Sequence, residues 1–538
     1  MDISGHGILT TITVGVSMGL LSLFLWRLFI YCWWKPSSVA RLLRSRGFTV
    51  LPYTAVVGNA LDINRLQNIA YSTPLCKGSS NHQYLSRIWP FHFANCSPSS
   101  TAGRSAIFWL ASCPSLHIVN ADDAKVILSS DYKEYVKFPT AYVTVQRLFG
   151  RSILTVDGDN WEHRRRILNP AFASDKLKTM SAHMLTCIQA MLDRWEQRRC
   201  HRHAATAELE LDIMQEFSDV SADVLTRTCF GSNFEEGKSV FEDQQAIIEA
   251  TFRDAARSAI FPLYRFLPTA RNRLCWRLQS RIHKTLKQIV ENRLYAVQKS
   301  QADSYGDDLL GRILAANTSS LADGAVLTTQ DIIDDCKSFF FAGHETTACL
   351  LAWAAMLMAS YPDWQDRARE EVLEISEEAG KINGHGKLKV LEMILLETLR
   401  LYPPVPQLIS RTRSQGYGTT PEVSEKKLNV PPGVRITVLN GLMHRDKEMW
   451  GDDVDEFRPE RFANGISRAC KGMHGFMPFG YGPHICIGQT FAMLEAKLVL
   501  ASVLQRFRIH LPEAYQHAPR LYGVLRPQYG MPLLITRI

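Results

Sequence analysis

Phe479-Gly480-Tyr481-Gly482-Pro483-His484-Ile485-Cys486-Ile487-Gly488 sets three glycines and a proline around a single cysteine, immediately before a helix-like run from Gln489 to Phe507. Glycines let a loop turn tightly and bring its backbone close to a flat ligand. The start of a helix adds N–H groups and a positive dipole end, which favour a thiolate. The stretch therefore reads as a loop that presents one activated cysteine. A merely packed cysteine in a glycine-rich turn is the alternative that this stretch alone leaves open.

The rest of the cysteine usage isolates this position. The chain has twelve cysteines, scattered singly and without a C-x-x-C pair, which argues against a zinc ribbon and against a disulfide scaffold. They fit a reducing compartment, with most of them serving as small buried hydrophobes.

Upstream lie three further constellations. Glu397 and Arg400 are three apart in the apolar helix Val390 to Leu401, so they share a face and can pair. Leu401-Tyr402-Pro403-Pro404 ends that helix, and Phe457-Arg458-Pro459-Glu460-Arg461-Phe462 follows before the cysteine loop. Phe341-Ala342-Gly343-His344-Glu345-Thr346-Thr347 interrupts a strongly apolar helix near 329–360 with an acid and hydroxyls. Thr346 can bond back to a carbonyl one turn earlier, or it can relay a proton to a ligand beside a small-residue gap. Trp161 and Arg165 are four apart on one helix face, where an indole N–H and a guanidinium can both reach a carboxylate. A surface cation–π contact is the other reading of that pair.

In this order the motifs resemble those of the cytochrome P450 superfamily, and the resemblance runs from the amino-terminal anchor to the carboxyl end. It implies a mainly α fold with a small β region and a bound haem b. Cys486 would be the axial ligand to its iron, and such a thiolate donates electron density that promotes O–O cleavage. Phe479, His484, Trp161, Arg165 and Arg411 fall on haem-binding positions, with Arg413 a neighbouring competitor for Arg411. Where the family most often has arginine two residues before the cysteine, contacting a haem propionate, this chain has His484, which can still donate a hydrogen bond. Glu345 and Thr346 fall on the acid and the hydroxyl of the oxygen-activation motif, with Ala342 and Gly343 at the small positions and His344 packed or solvent-facing rather than a ligand. Glu397, Arg400 and Arg461 would form a structural network and do no chemistry. Ile466-Ser467-Arg468-Ala469-Cys470-Lys471 looks most like the plant branch that includes gibberellin-, brassinosteroid-, cytokinin- and triterpenoid-modifying enzymes and fatty-acid hydroxylases.

From Ile8 to Trp34 the chain is almost wholly apolar, broken by Arg27, and long enough for a hydrocarbon core of roughly 30 Å. The run ends in Tyr31-Cys32-Trp33-Trp34 with no small-residue cleavage site, so it reads as an uncleaved transmembrane anchor. Lys35, Arg41, Arg44 and Arg46 follow before any acid, which places the body on the cytosolic side of the endoplasmic reticulum membrane. The expected division is an anchor over 1–34, a basic linker opened by Pro36 over 35–60, and a haem domain over 61–538.

Composition agrees with a packed globular body, 46% hydrophobic and 21% charged. The formal net charge of +8 is spread without a basic block, and bands such as Arg164-Arg165-Arg166 read as a solvated helix face rather than a nucleic-acid site. Residues 76–105 read as a surface loop with some helix, Ala106 to Val119 as a strand or two, and Lys426 to Thr437 as a small sheet with turns. Helical stretches are expected near 174–199, 207–228, 278–300 and 329–360.

The function that the resemblance implies is hydroxylation of a lipophilic small molecule, a terpenoid, a steroid-like hormone or a fatty acid, with O₂. Electrons would come from NADPH through a separate membrane-bound NADPH-cytochrome P450 reductase, because the chain has no dinucleotide fingerprint in context and no flavin domain. A P450-like isomerase or dehydratase that dispenses with O₂ is the enzymatic rival, and a membrane haem sensor or carrier the non-catalytic one. Phe138 to Leu154 and Thr251 to Leu267 would line the substrate pocket by resemblance.

Overall fold

The computed structural model describes residues 3–75, 82–95, 106–130, 132–139, 146–201, 208–231, 234–299, 304–319, 326–379, 388–414, 430–472 and 474–538. Its amino-terminal run is a single rod. Helix α1 (Ile3–Phe29) passes through a widened π-type turn at Ile30–Trp34 into α2 (Lys35–Ser45). Thr13–Ser45 is long and apolar enough to cross a membrane. Its large apolar side chains from Val14 to Trp34 are mostly exposed.

Pro36 opens a helix, not a loop. Having no N–H, it cannot bond the Cys32 carbonyl one turn back, and the Tyr53 hydroxyl donates to that oxygen at 2.7 Å instead. Beyond it, Pro36, Ala40 and Leu43 turn inward, and Leu43 is fully buried against the main sheet. The expected linker is thus in part a packed helix, because its apolar residues recur at helical spacing.

Strands β1 (Thr49–Val50), β2 (Ala106–Leu110), β3 (Cys113–Ile118) and β4 (Tyr135–Lys137) join, after β5 (Glu208–Asp212), β6 (Arg411–Arg413) and β7 (Arg435–Val438). Without β5 they form a six-stranded sheet ordered β1-β2-β3-β7-β6-β4. The antiparallel β4–β6 register sets Lys137 opposite Arg411. Of the expected loop over 76–105, the described part holds two short helices, Leu85–Ile88 and Pro90–Asn95. Residues 426–429 of the expected sheet region lie outside the described residues.

The body is built from α3 (Gly158–Leu168), α4 (Ser174–His201), α5 (Ile213–Phe230), α6 (Phe234–Arg253), α7 (Ala270–Gln298), α8 (Thr329–Ser360), α9 (Pro362–Ala379), α10 (Lys389–Leu401) and α11 (Gln489–Leu504). A capping box starts α8: the Thr328 hydroxyl accepts from Asp331 N at 3.1 Å, and the Asp331 carboxylate accepts from Thr328 N at 3.0 Å. From Thr347 to Met358 every α8 residue is buried, as an apolar-all-round helix in a core must be. Arg164 of α3 docks on this helix through Asp331 at 2.5 Å and Asp335 at 2.7 Å. It is 4% exposed, so this member of the basic band is a buried tie between helices and not a solvated face.

The stretch near 207–228 divides. Glu208, Glu210 and Asp212 face solvent while Leu209 and Leu211 are buried, a period of two that makes β5. Asp212 then caps α5, accepting from Met214 N at 3.1 Å. β5 pairs with β11 (Pro532–Arg537), which pairs with β8 (Phe507–His510); β9 (Pro519–Tyr522) and β10 (Val524–Pro527) form a hairpin. The mainly helical body with small sheets behind one apolar amino-terminal helix is the architecture expected from the sequence.

Candidate functional site

Cys486 stands at the end of a loop shaped by two glycines in left-handed backbone. Gly480 has φ +78° and Gly482 φ +73°. A side chain at Gly482 would also collide with the Leu128 carbonyl oxygen, 2.2 Å from the ideal Cβ. The loop closes when Cys486 N donates to Phe479 O at 2.9 Å, and α11 begins just beyond Gly488. The Cys486 side chain is open to a cavity of about 320 Å³ although protein surrounds it. Burial pushes the free thiol up, while the Gly488 N–H and the Arg165 charge work the other way.

Ala342, Gly343 and Thr346 of α8 line the same cavity. Thr346 donates to Ala342 O at 2.6 Å, so its hydroxyl is satisfied within the helix and still lies on the cavity wall. Gly343 is small for a packing reason as well: a Cβ there would meet Leu225 of α5 at 2.7 Å. Glu345 is not brought to this cavity. Its Oε1 accepts from Arg526 Nη1 of β10 at 3.0 Å, and both residues line a separate cavity of about 320 Å³ with Gln215, Ser218 and Glu249. His344 is buried with Nε2 2.8 Å from Ser218 Oγ, which selects the packed over the solvent-facing of its two expected placements.

One edge of the Cys486 cavity is cationic. Trp161 stacks on His484 with ring centroids 3.9 Å apart, and both line the cavity with Arg165 and Arg411. Burial, joined by the charges of Arg411, Lys137 and Arg165, lowers His484 to about 3, so its ring is neutral at physiological pH. Neither of its ring nitrogens, nor Arg411 Nε, has a hydrogen-bond partner. Arg411 Nη1 donates to Tyr135 O at 2.9 Å, which fixes this guanidinium to β4. Arg413, its competitor, pairs with Glu134 at 3.5 Å and does not line the cavity. The residue set fits haem: a cysteine, an apolar wall through Phe339, Leu350, Leu399 and Phe479, and unsatisfied donors where propionates need them.

Glu397, Arg400 and Arg461 sit behind that wall. Glu397 and Arg400 are fully buried and bidentate at 2.7 Å. Arg400 also reaches the carbonyls of His444, Val454 and Glu456 at 3.1, 2.6 and 3.0 Å. Arg461 Nε lies 3.4 Å from Glu397, and its other end pairs with Asp453 at 2.8 Å. Every carbonyl that Arg400 bonds belongs to the segment leading into the cysteine loop.

Sequence reasoning missed Lys137 and Arg526. Lys137 lines the Cys486 cavity only because β4 pairs with β6 in a register that no local motif encodes. Arg526 meets Glu345 across 181 positions of chain. Of the two segments expected to line a substrate pocket, the first supplies Ile153 and Leu154, and 140–145 lie outside the described residues. Thr251 to Leu267 supplies no described lining residue.

The family profile described as Cytochrome P450 matches residues 95–534. The chain is 36% identical over 515 residues to cytochrome P450 CYP72A219 of Panax ginseng, covering 95% of each chain. It is 35% identical over 531 residues to cytochrome P450 72A11 of Arabidopsis thaliana, covering 98% of this chain and 99% of that one. It is 34% identical over 530 residues to 7-deoxyloganic acid hydroxylase of Catharanthus roseus, covering 97% and 98%. With a glycine-shaped cysteine loop, a hydroxyl-bearing helix and a cationic edge around one cavity, this chain belongs to the cytochrome P450 family and is one of its monooxygenases.

Proposed function

We propose that the protein hydroxylates a lipophilic small molecule of the terpenoid class, using O₂ and electrons that an NADPH-dependent reductase delivers. The observation that carries the reading is that Cys486 and Thr346, from distant parts of the chain, line one cavity. Haem bound there supplies O₂ activation at an iron ligated by thiolate. Cys486 would hold the iron, Trp161, Arg165, His484 and Arg411 would hold the propionates, and Phe479 would supply an apolar contact. Glu397, Arg400 and Arg461 fix the approach to the cysteine loop and touch no reacting atom.

Substrate binding falls to Phe339, Leu350, Val405, Leu408 and Ile409, whose apolar side chains exclude water from the Thr346 side. Thr346 positions a proton at its Oγ1, and Glu345 supplies protons from the polar cavity on the other face of α8. Among the relatives, the one named 7-deoxyloganic acid hydroxylase supports the terpenoid class. The apolar rod over Thr13–Ser45 anchors the protein, and the basic residues after Trp34 put the body on the cytosolic face of the endoplasmic reticulum.

The test is a reductase-coupled incubation with a panel of plant terpenoids under ¹⁸O₂. The reading expects a product heavier by one labelled oxygen, dependent on NADPH. A product of unchanged oxygen content, formed without NADPH, would establish the isomerase alternative; haem binding without turnover would establish the carrier.

A further inference from the structure

A third cavity, of about 490 Å³, is walled by residues 146–150, α6, α7 and the first turns of α8. Among the described residues it shares no lining residue with the Cys486 cavity, and its volume is within the range of small-molecule sites. Its wall sets Gln146, Gln244, Gln279 and Gln330 beside the aliphatic Ile247 and Ile282. We propose that this cavity binds a small hydroxylated carboxylic acid, with the carboxylate on Arg147 and a hydroxyl on Gln244. The inference goes beyond the hydroxylase reading and does not rest on it.

The titratable residues on this wall are Arg147, His283, Asp334 and Lys337. Asp334 is fully engaged: its Oδ1 accepts from Lys337 Nζ at 2.8 Å and from Gln330 Nε2 at 2.9 Å, and its Oδ2 accepts from Arg151 N at 2.8 Å. Burial, joined by the Lys337 charge, pushes His283 below its ordinary range, so it adds no positive charge at neutral pH. Arg147 is left as the uncompensated cation. Its Nη1 donates to Asn272 Oδ1 at 3.1 Å, a neutral amide that is itself locked by donating to Tyr264 O at 2.8 Å and Leu267 O at 2.9 Å. Arg147 Nη2 is buried without a hydrogen-bond partner. On the same wall Gln244 Nε2 donates to Lys337 O at 2.9 Å, which fixes the amide and leaves Oε1, also buried, without a donor. A buried donor and a buried acceptor left unmade are costly unless a bound molecule completes them. Water can complete the hydrogen bonds but not the charge. One surplus positive charge suits a carboxylate, whereas a phosphate ester brings about −1.5 to −2. An ionised carboxylate cannot donate to Gln244 Oε1, so the same molecule must also carry a hydroxyl.

The probe is quinate, a hydroxylated ring carboxylate, set against its neutral methyl ester and against cyclohexanecarboxylate, which has no hydroxyl. Calorimetry measures the binding of each to the detergent-solubilised full-length holoprotein, for the parent, Arg147→Met and Gln244→Leu. Neither substitution touches the Cys486 cavity, so parent-like spectra of the reduced carbon monoxide complexes certify that both variants are folded. The parent should bind quinate about tenfold or more tighter than the ester, as expected for a charge-assisted hydrogen bond. Arg147→Met should weaken quinate by about tenfold to a hundredfold and erase the preference over the ester. Gln244→Leu should weaken quinate by about twofold to tenfold and change cyclohexanecarboxylate by less than about twofold. No saturable binding of quinate by the parent at millimolar concentration would overturn the proposal. So would parent-like binding by Arg147→Met, or equal weakening of the two acids by Gln244→Leu. If Arg147→Met does not accumulate, the parent alone decides: a preference for quinate over its ester supports the carboxylate site, and equal affinity for the two overturns it.

Discussion

Arg526 Nη1 lies 3.0 Å from Glu345 Oε1, and this pair turns the carboxylate of the α8 motif away from the cavity that Thr346 lines. Adjacent residues of one helix therefore serve two cavities. Glu345 is buried and Arg526 partly so, which makes the carboxylate depend on this partner. Arg526→Leu should cost about 1–3 kcal/mol of stability and lower product formation, because it strands a buried charge. Adding Glu345→Gln to Arg526→Leu should recover part of that stability by removing the charge. Thermal unfolding of the four proteins in this cycle measures the coupling, and simple additivity would show that the pair contributes nothing.

On the proposed role of the Thr346 hydroxyl, which lies on the cavity wall, Thr346→Ala should leave haem content near that of the parent while product per NADPH falls and peroxide rises. Thr346→Ser should retain more coupling. If Thr346→Ala couples NADPH to product as well as the parent does, the bond to Ala342 O is the whole role of this hydroxyl.

Glu495 of α11 is fully buried with neither oxygen in hydrogen-bond geometry, and burial, which outweighs the opposing effect of the Ser221 hydroxyl, raises it from 4.5 to about 8. Protonated, it is tolerated; ionised, it opposes the fold. Stability is therefore full below about pH 4.5 and is lost progressively as pH rises to about 8. Glu495→Gln should be stabilised relative to the parent by an increment that grows on the order of 1.4 kcal/mol per pH unit across that window. Denaturant midpoints at pH 5.5 and pH 8 check this, and a difference that does not change with pH would contradict it.

Removing residues 1–34 should release much of the protein from membranes and spare haem binding, because the exposed part of the rod ends there. Extending the deletion through Ser45 should destabilise the body, since Leu43 is fully buried in the sheet's core. Leu43→Ala alone should cost about 2–5 kcal/mol. Haem retention by both truncates after mild heating would show that α2 is dispensable.

Much of the site was legible because its parts are local. The glycines around Cys486 and the four-residue spacing of Trp161 and Arg165 are set within one loop and one helix. So is the three-residue spacing of Glu397 and Arg400. What escaped is set by register and distance. Lys137 depends on β4 pairing with β6, and Arg526 on a hairpin reaching α8 from the carboxyl end. β5 escaped because Leu209 and Leu211 can also belong to an apolar helical stripe; pairing with β11 decides for the strand. At Pro36 the proline signal pointed to a linker, while Tyr53 supplies the bond that lets a helix continue there.

The central claim is that Cys486 ligates the haem iron as a thiolate. The most direct measurement is the Soret spectrum of the reduced, carbon monoxide-bound protein for the parent and Cys486→Ala. The parent should absorb at the thiolate-type position and Cys486→Ala should lose that band, because among the described residues no other cysteine lines this cavity except Cys229 of α5, which lies outside the glycine-shaped loop. A thiolate-type band that survives in Cys486→Ala would contradict the account.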